Sequence, residues 1–423
     1  MRVSKRYGSW LEAPIGLFPS WFLQRMRRGN YPTVFVHISR SRIKNMSRSA
    51  FLGSVLVILT AVAFSQTPTT QPSTSPVAYV YVSSPVPNTY GLIYAYSASS
   101  NGQLTLVGTF PSYASYMALN GAWLFGTDGT NIYSFSIASN GALSQTSSIN
   151  ATSYNPYQSG GPGNLFLDHT GTTLYDGDTY AYGTESNAYQ AFSIDKNTGQ
   201  LNFLQLTPEA GGAGSQGNVL SFTGSNTYAY SSGYYRFSQD IYGFRRNADQ
   251  TLTELSLNPK FPAAPNGAYF PFLAAADPNN HLAISLTPYN GFSQTGPTQF
   301  AVYTQTSNGN LTTTSTSANM PFTLITNLYD FWMSPSGKLL AVAGVGGLQV
   351  FHFNGANPIT HYTGLLTKDT ITQVFWDNAN HLYEISPSTG KLHVFTVTPT
   401  GHSEAPGSPY TITNASNVIV LPK

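Results

Sequence analysis

The sequence predicts an all-β fold, a seven-bladed β-propeller of four-stranded antiparallel blades, and three observations predict it. A short aromatic strand pattern recurs seven times along the chain. Small polar turns that can be anchored at Gly121, Gly171, Ser225, Asn280, Gly337 and Asn380 recur at spacings of 50, 54, 55, 57 and 43 residues. The first repeat lacks one strand, and the C-terminus supplies one. Repetition at this period is how one toroid absorbs most of a 423-residue chain.

Composition agrees with strands and tight turns. Gly (38), Tyr (28), Pro (27) and Phe (25) are abundant, and charged residues make up 9%. Aromatic side chains suit a pleated surface, and Gly and Pro suit turns. After residue 70 no run of apolar residues follows helical spacing.

The N-terminus reads as removable. Residues 51–64 form an apolar run of 14, too short for a membrane span and suited to the core of a signal peptide. Lys44 and Arg48 give it a positive flank, and Ala63-Phe64-Ser65 places small residues before a cleavage at Gln66. The sequence thus predicts a non-native or disordered extension over 1–45, with translation from Met46, and a signal peptide over 46–65. A Ser/Thr/Pro linker follows over 66–76, and the propeller occupies 77–423. The expected product is exported, to the periplasm, cell surface or exterior, with no stable membrane insertion after cleavage.

Charge narrows the partners. The formal net charge of +2 comes from ten Lys and Arg residues in the first 48 positions. From Gln66 onward there are 9 basic and 16 acidic residues, a net of −7. Such a domain has no basic footprint for nucleic acid. There is no Cys, which excludes disulfides, thiolate nucleophiles and Cys-ligated zinc. No cofactor and no metal are expected, and the propeller is expected to be a monomer.

Each repeat begins with a mostly apolar strand, turns, and continues into a second strand. The third strand carries the aromatic pattern: Ile93–Tyr96, Ile132–Phe135, Tyr189–Phe192, Ile241–Phe244, Phe300–Tyr303, Val350–Phe353 and Leu392–Phe395. Asn101-Gly102, Asn140-Gly141, Thr198-Gly199 and Asn308-Gly309 then lead to the outer strand. Asn-Gly predicts a type I′ hairpin, with positive φ at both central residues. With strands named A to D from the axis outward, the unit Tyr79–Phe110 has only B, C and D. Val418–Leu421 is the A strand that completes it, so the ring closes without an unpaired sheet edge.

The repeats resemble the seven-bladed lactonase family, whose members include 6-phosphogluconolactonases. The resemblance covers about residues 77–423 and rests on blade motifs: Gly91–Tyr96, Leu167–Tyr175, Met333–Leu340 and the Thr-Gly-x-Leu-like turns. It implies a lactone hydrolase with a His after Pro in one A strand, a Glu ending the next B strand, and an Arg ending the B strand after that. Aligned blade to blade, those positions fall near Gly163-Asn164, Ser231-Ser232 and Leu286-Thr287. None carries the family's chemistry, with Arg236 and His281 as the nearest substitutes. Two functions follow. The main expectation is a lactonase-like binding or scaffold module without catalysis, for an unknown protein or carbohydrate ligand. The alternative is a diverged 6-phosphogluconolactonase-type hydrolase.

In a propeller the B–C and D–A connections share one face. The segments 176–189, 231–242, 287–299 and 209–218 are long here, so a ligand face is expected on that side. Asp178, Tyr182, Glu185, Tyr235, Arg236 and Tyr289 are its candidate contacts, because aromatic faces beside hydrogen-bonding groups suit sugars or peptides. Asp168-His169 lies in an A–B turn and reads as a turn-stabilising Asp beside an exposed His, and His281 and His381 begin B strands and read as structural.

Overall fold

A computed structural model describes residues 75–86, 89–154, 162–178, 188–208, 220–232 and 240–423. Residues 1–74, which cover the expected extension and signal peptide and nearly all of the expected linker, lie outside the described residues. So do Tyr182, Glu185, Tyr235 and Arg236, and the D–A segment 209–218.

Seven antiparallel sheets form, each with a path of four strands. The inner strands are Asn417–Pro422 for blade one, then Tyr116–Leu119, Pro162–Leu167, Ser221–Phe222, Ala268–Ala276, Asn327–Met333 and Gln373–Trp376 for blades two to seven. Successive inner strands touch from blade four through seven to one, and on to two and three, which makes the toroid. Ring closure follows the sequence expectation: Ala78–Ser83 pairs in antiparallel register with Pro422–Asn417, six residues against six. Val418 and Val420 are fully buried there, against Val80, Val394 and other side chains of blades one and seven.

The core lies between blades, because each sheet buries both faces against its neighbours. One such layer joins Tyr81 and Ile93 of blade one to Leu124 and Phe135 of blade two, and another joins Ala341 and Val350 of blade six to Leu382 and Phe395 of blade seven. Buried tyrosines fasten one blade to the next. Tyr81, Tyr175 and Tyr230, all on B strands, donate hydroxyl hydrogen bonds of 3.0, 2.7 and 2.8 Å to the carbonyls of Gly141, Gln250 and Gly309. Each acceptor is in the C–D turn of the following blade, so these bonds satisfy a buried hydroxyl and fix the angle between sheets.

Those C–D turns differ from the type I′ expectation. Gly102, Gly141 and Gly309 have φ of 80°, 85° and 84°, while the Asn before each has no positive φ. The Gly102 amide donates to the Ser99 carbonyl at 2.9 Å and the Ser99 amide to the Gln103 carbonyl at 3.0 Å, and the other two turns repeat the pattern. This is a type I turn closed by a glycine bulge. The Asn has a separate job: its side chain accepts the amide of the residue after Gly, as Asn101 does from Gln103 at 3.2 Å. The segment 287–299 also differs from a plain loop. The B strand of blade five runs on to Asn290 and folds back as a short hairpin with Ser293–Gln294.

Candidate active site at the channel wall

The inner strands line the central channel, so their outward chemistry is what a ligand in the channel meets. These seven strands are apolar, aromatic or neutral except at one place: Asp330 is their sole acidic or basic side chain among the described residues. It lies on the inner strand of blade six, at a register shift between Leu328 and Asp330. A bulge re-aims a side chain that regular pairing would send elsewhere. Here the carboxylate turns toward blade seven, where Oδ2 accepts the Val374 amide at 2.8 Å and Oδ1 accepts the Phe331 amide at 2.9 Å.

Burial pushes the Asp330 carboxyl up to about 7, against the opposing pull of the Val374 and Phe331 amides and of the Trp332 side chain. A carboxylate half-ionised near neutrality is a competent general base, because it is both available and basic enough to take a proton from water. Aromatic surface surrounds it in sequence. Tyr329 and Trp332 are 39% and 37% exposed, and the Trp332 ring lies 4.8 Å from that of Phe375 on the next blade.

The three positions that the lactonase resemblance singled out fall in the strands expected of them, and none carries a His, Glu or Arg. Gly163 is on the inner strand of blade three, and its amide donates to the Asp176 carboxylate at 2.8 Å. Ser231 is fully buried on the B strand of blade four. Thr287, on the B strand of blade five, shares a hydrogen bond of 2.6 Å with Thr298.

Of the six candidate ligand contacts, two lie in described strands. Asp178 ends the B strand of blade three. Tyr289 is near the end of the B strand of blade five, half-buried, with its ring 5.8 Å from Phe270 and 6.4 Å from Phe272. Packing therefore uses much of its surface. Sequence reasoning missed Asp330 and Trp332, although a lone Asp among the apolar residues of one inner strand was the available signal.

The opposite mouth carries repeated Asp-His clasps. In blade five, Asp277 accepts from the Asn279 and His281 amides at 2.9 Å and faces His281 Nδ1 at 2.8 Å. In blade seven, Asp377 faces His381 Nδ1 at 2.7 Å and accepts the Tyr383 hydroxyl at 2.9 Å, with His381 fully buried. Asp168 plays the same part in blade three and pairs with Arg246 at 2.9 Å. Asp277 and His169 both line a cavity of about 260 Å³ at this mouth. Partial desolvation holds the His169 imidazole below its ordinary range. No group of three or more His, Asp or Glu side chains is placed to hold a metal ion among the described residues. No helix among them is long and apolar enough to cross a membrane.

No protein-family model and no curated protein matches the sequence. Solved structures match the fold. A protein from Bacteroides fragilis, provisionally named a 6-phosphogluconolactonase, aligns with a TM-score of 0.61 at 15% identity, covering 81% of this chain and 98% of that one. A second, from Bacteroides uniformis and with the same provisional name, gives 0.62 at 12% identity over 81% and 99%. The periplasmic gluconolactonase of Pseudomonas aeruginosa gives 0.60 at 13% identity over 81% and 99%. The fold is thus that of the lactonase-type seven-bladed propellers. The expectation of a binding or scaffold module without catalysis is corrected by this. Three of the structures that match along nearly their whole length are lactonases by name, and this chain carries a carboxylate raised to about 7, Asp330, on an inner strand.

Proposed function

We propose that the protein is a lactone hydrolase that works in the central channel with Asp330 as its general base. The observation that carries this reading is the Asp330 carboxyl, raised to about 7 beside the exposed rings of Tyr329 and Trp332. Asp330 takes a proton from water as the water oxygen bonds to the lactone carbonyl carbon. The ring C–O bond then breaks, and the departing ring oxygen receives that proton, leaving an open hydroxy acid. Trp332 and Phe375 offer a stacking wall for the sugar ring, and the Tyr329 hydroxyl is the donor to the developing oxyanion.

Lactones without a phosphate fit this wall. The described inner strands hold no Lys, Arg or His to pair with a phosphate dianion. Substrate reaches the channel from the face of the B–C and D–A connections, past Asp178 and Tyr289. The apolar run at 51–64 and the small residues before Gln66 support export, in keeping with this chemistry outside the cytoplasm.

Hydrolysis of glucono-δ-lactone by the purified protein tests the reading. The expected rate rises with pH through about 7. Asp330→Asn should lower kcat/KM by about 10²-fold or more, as removal of a general base does. An unchanged rate in the variant would end the assignment.

A further inference from the structure

Behind Asp330, in the same seam between blades six and seven, lies a group that nothing above uses. Glu384, on the B strand of blade seven, is fully buried. Neither of its carboxyl oxygens has a hydrogen-bond partner. An unpartnered carboxyl in such a place costs more than almost any other side chain, so its retention asks for a reason. On the inner side Glu384 stands in register with Val374, whose amide holds Asp330. On the outer side it stands in register with His393.

We infer that Glu384 is a positioning residue for the Asp330 base, acting as a pH-dependent latch on the strand that carries Val374. Uncharged, it lies between its register partners Val374 and His393, on the B strand whose Leu382 joins Ala341 and Val350 in the apolar layer of this seam. Ionised, it is an unpaired charge in that layer and drives the inner strand of blade seven away from blade six. The Val374 amide then leaves Asp330. The inference rests on the base assignment of the preceding section.

The charged groups around Glu384 all work in the same direction or are already occupied. Burial raises its carboxyl well above the ordinary range, and the charges of Glu404 and Asp369 add to this. His393 on the adjacent C strand is committed to both carboxylates, with Nε2 3.2 Å from Asp369 and Nδ1 3.3 Å from Glu404. Lys391 is committed to Asp369 at 2.9 Å. Blade six contributes Asp330 from its inner strand, Ala341, Ala343, Leu348 and Val350 to the apolar layer, and His352 farther along its C strand, where its ring lies 4.3 Å from Tyr362. Neither His393 nor Lys391 is left over to neutralise Glu384, so rising pH opens the latch instead of strengthening it.

The sign follows from linkage. A carboxyl whose value is raised on folding gives full stability below the ordinary Glu range, and that stability is lost as pH rises toward the raised value. Asp330 has the same sign, so the two must be separated by substitution.

The test compares the wild-type protein with Glu384→Gln and Glu384→Met, of which Met fills the space with an apolar chain. The melting midpoint is followed from pH 5.5 to 9.5, together with the amide resonance of Val374 and the rate on glucono-δ-lactone. In the wild type, the Val374 resonance should move in two steps, one near pH 7 from Asp330 and one from Glu384, the latter with a midpoint loss of about 3 °C or more and a falling rate. Both variants should keep the Asp330 step and lose the other, with its midpoint loss and falling rate. A second step at Val374 that persists in both variants overturns the inference. So does a wild-type protein without that step. If no protein hydrolyses the lactone, the base assignment fails, and the Val374 and melting data still decide the role of Glu384.

Discussion

Two aspartates of this chain respond to pH in opposite directions, and the difference lies in what surrounds each. Burial works against ionisation of Asp168. The hydrogen bonds of Thr170, Asn226 and Thr173, with the Arg246 cation, outweigh it and hold the carboxyl below the usual range. Its contribution is therefore present above the unfolded value near 3.8 and lost as pH falls through the folded one. Asp330 has two amides and no cation, so burial wins and its value rises to about 7. Its ionisation costs stability progressively as pH rises from the ordinary Asp range to about 7. Asp330→Asn should therefore melt above the wild type at pH 8.5 and level with it at pH 4, read by calorimetry at both. Asp168→Ala strands Arg246, which is 15% exposed at its side chain. Breaking such a pair costs about 3–5 kcal/mol, measurable as a shift of the denaturation midpoint at pH 7.

Turns carry the strictest local demands on the elements. Gly141 combines a φ of 85° with a neighbour so close that a Cβ would fall 2.5 Å from the Tyr79 ring. The left-handed conformation alone costs a non-glycine residue about 1–2 kcal/mol, and the clash adds to it. The Gly141 carbonyl also accepts the Tyr81 hydroxyl across the blade boundary. Gly141→Ala should lower stability by about 2 kcal/mol or more in urea denaturation, whereas Asn140→Ala, which removes one exposed side-chain bond to the Ala142 amide, should cost under about 1 kcal/mol. Comparable losses for both would contradict the bulged turn.

Closure is a property of the whole molecule. The inner strand of blade one arrives from the far end of the chain, so the ring has no strength until residues 417–422 dock on 78–83. Deleting residues 414–423 removes four apolar side chains that are at most 7% exposed, Val418 to Leu421, and leaves one edge of a central strand without its ladder. Each unmet buried backbone group costs about 1–3 kcal/mol, against about 5–15 kcal/mol for the stability of a domain. The truncated protein should aggregate or melt far below the full chain in a thermal scan followed by light scattering. An unchanged midpoint would mean that the ring closes some other way.

By itself the sequence determined the architecture, because a propeller is written locally and repeatedly. The seven aromatic C strands, the Gly of the C–D turns at 102, 141, 199 and 309 and the orphan strand at 418–421 are all short-range patterns, legible one unit at a time. Turn type was less legible, since Asn-Gly serves two hairpin geometries and the flanking ladder decides between them. The candidate site was nearly illegible. Asp330 owes its chemistry to a bulge and to Val374, 44 residues away on another blade, and Glu384 owes its isolation to side chains of blade six. Both depend on which strands face each other across a seam. Hydrophobic period and turn chemistry specify strands within a blade. The angle at which blades pack specifies which lone carboxylate is stripped of water, and only the tertiary structure decides that.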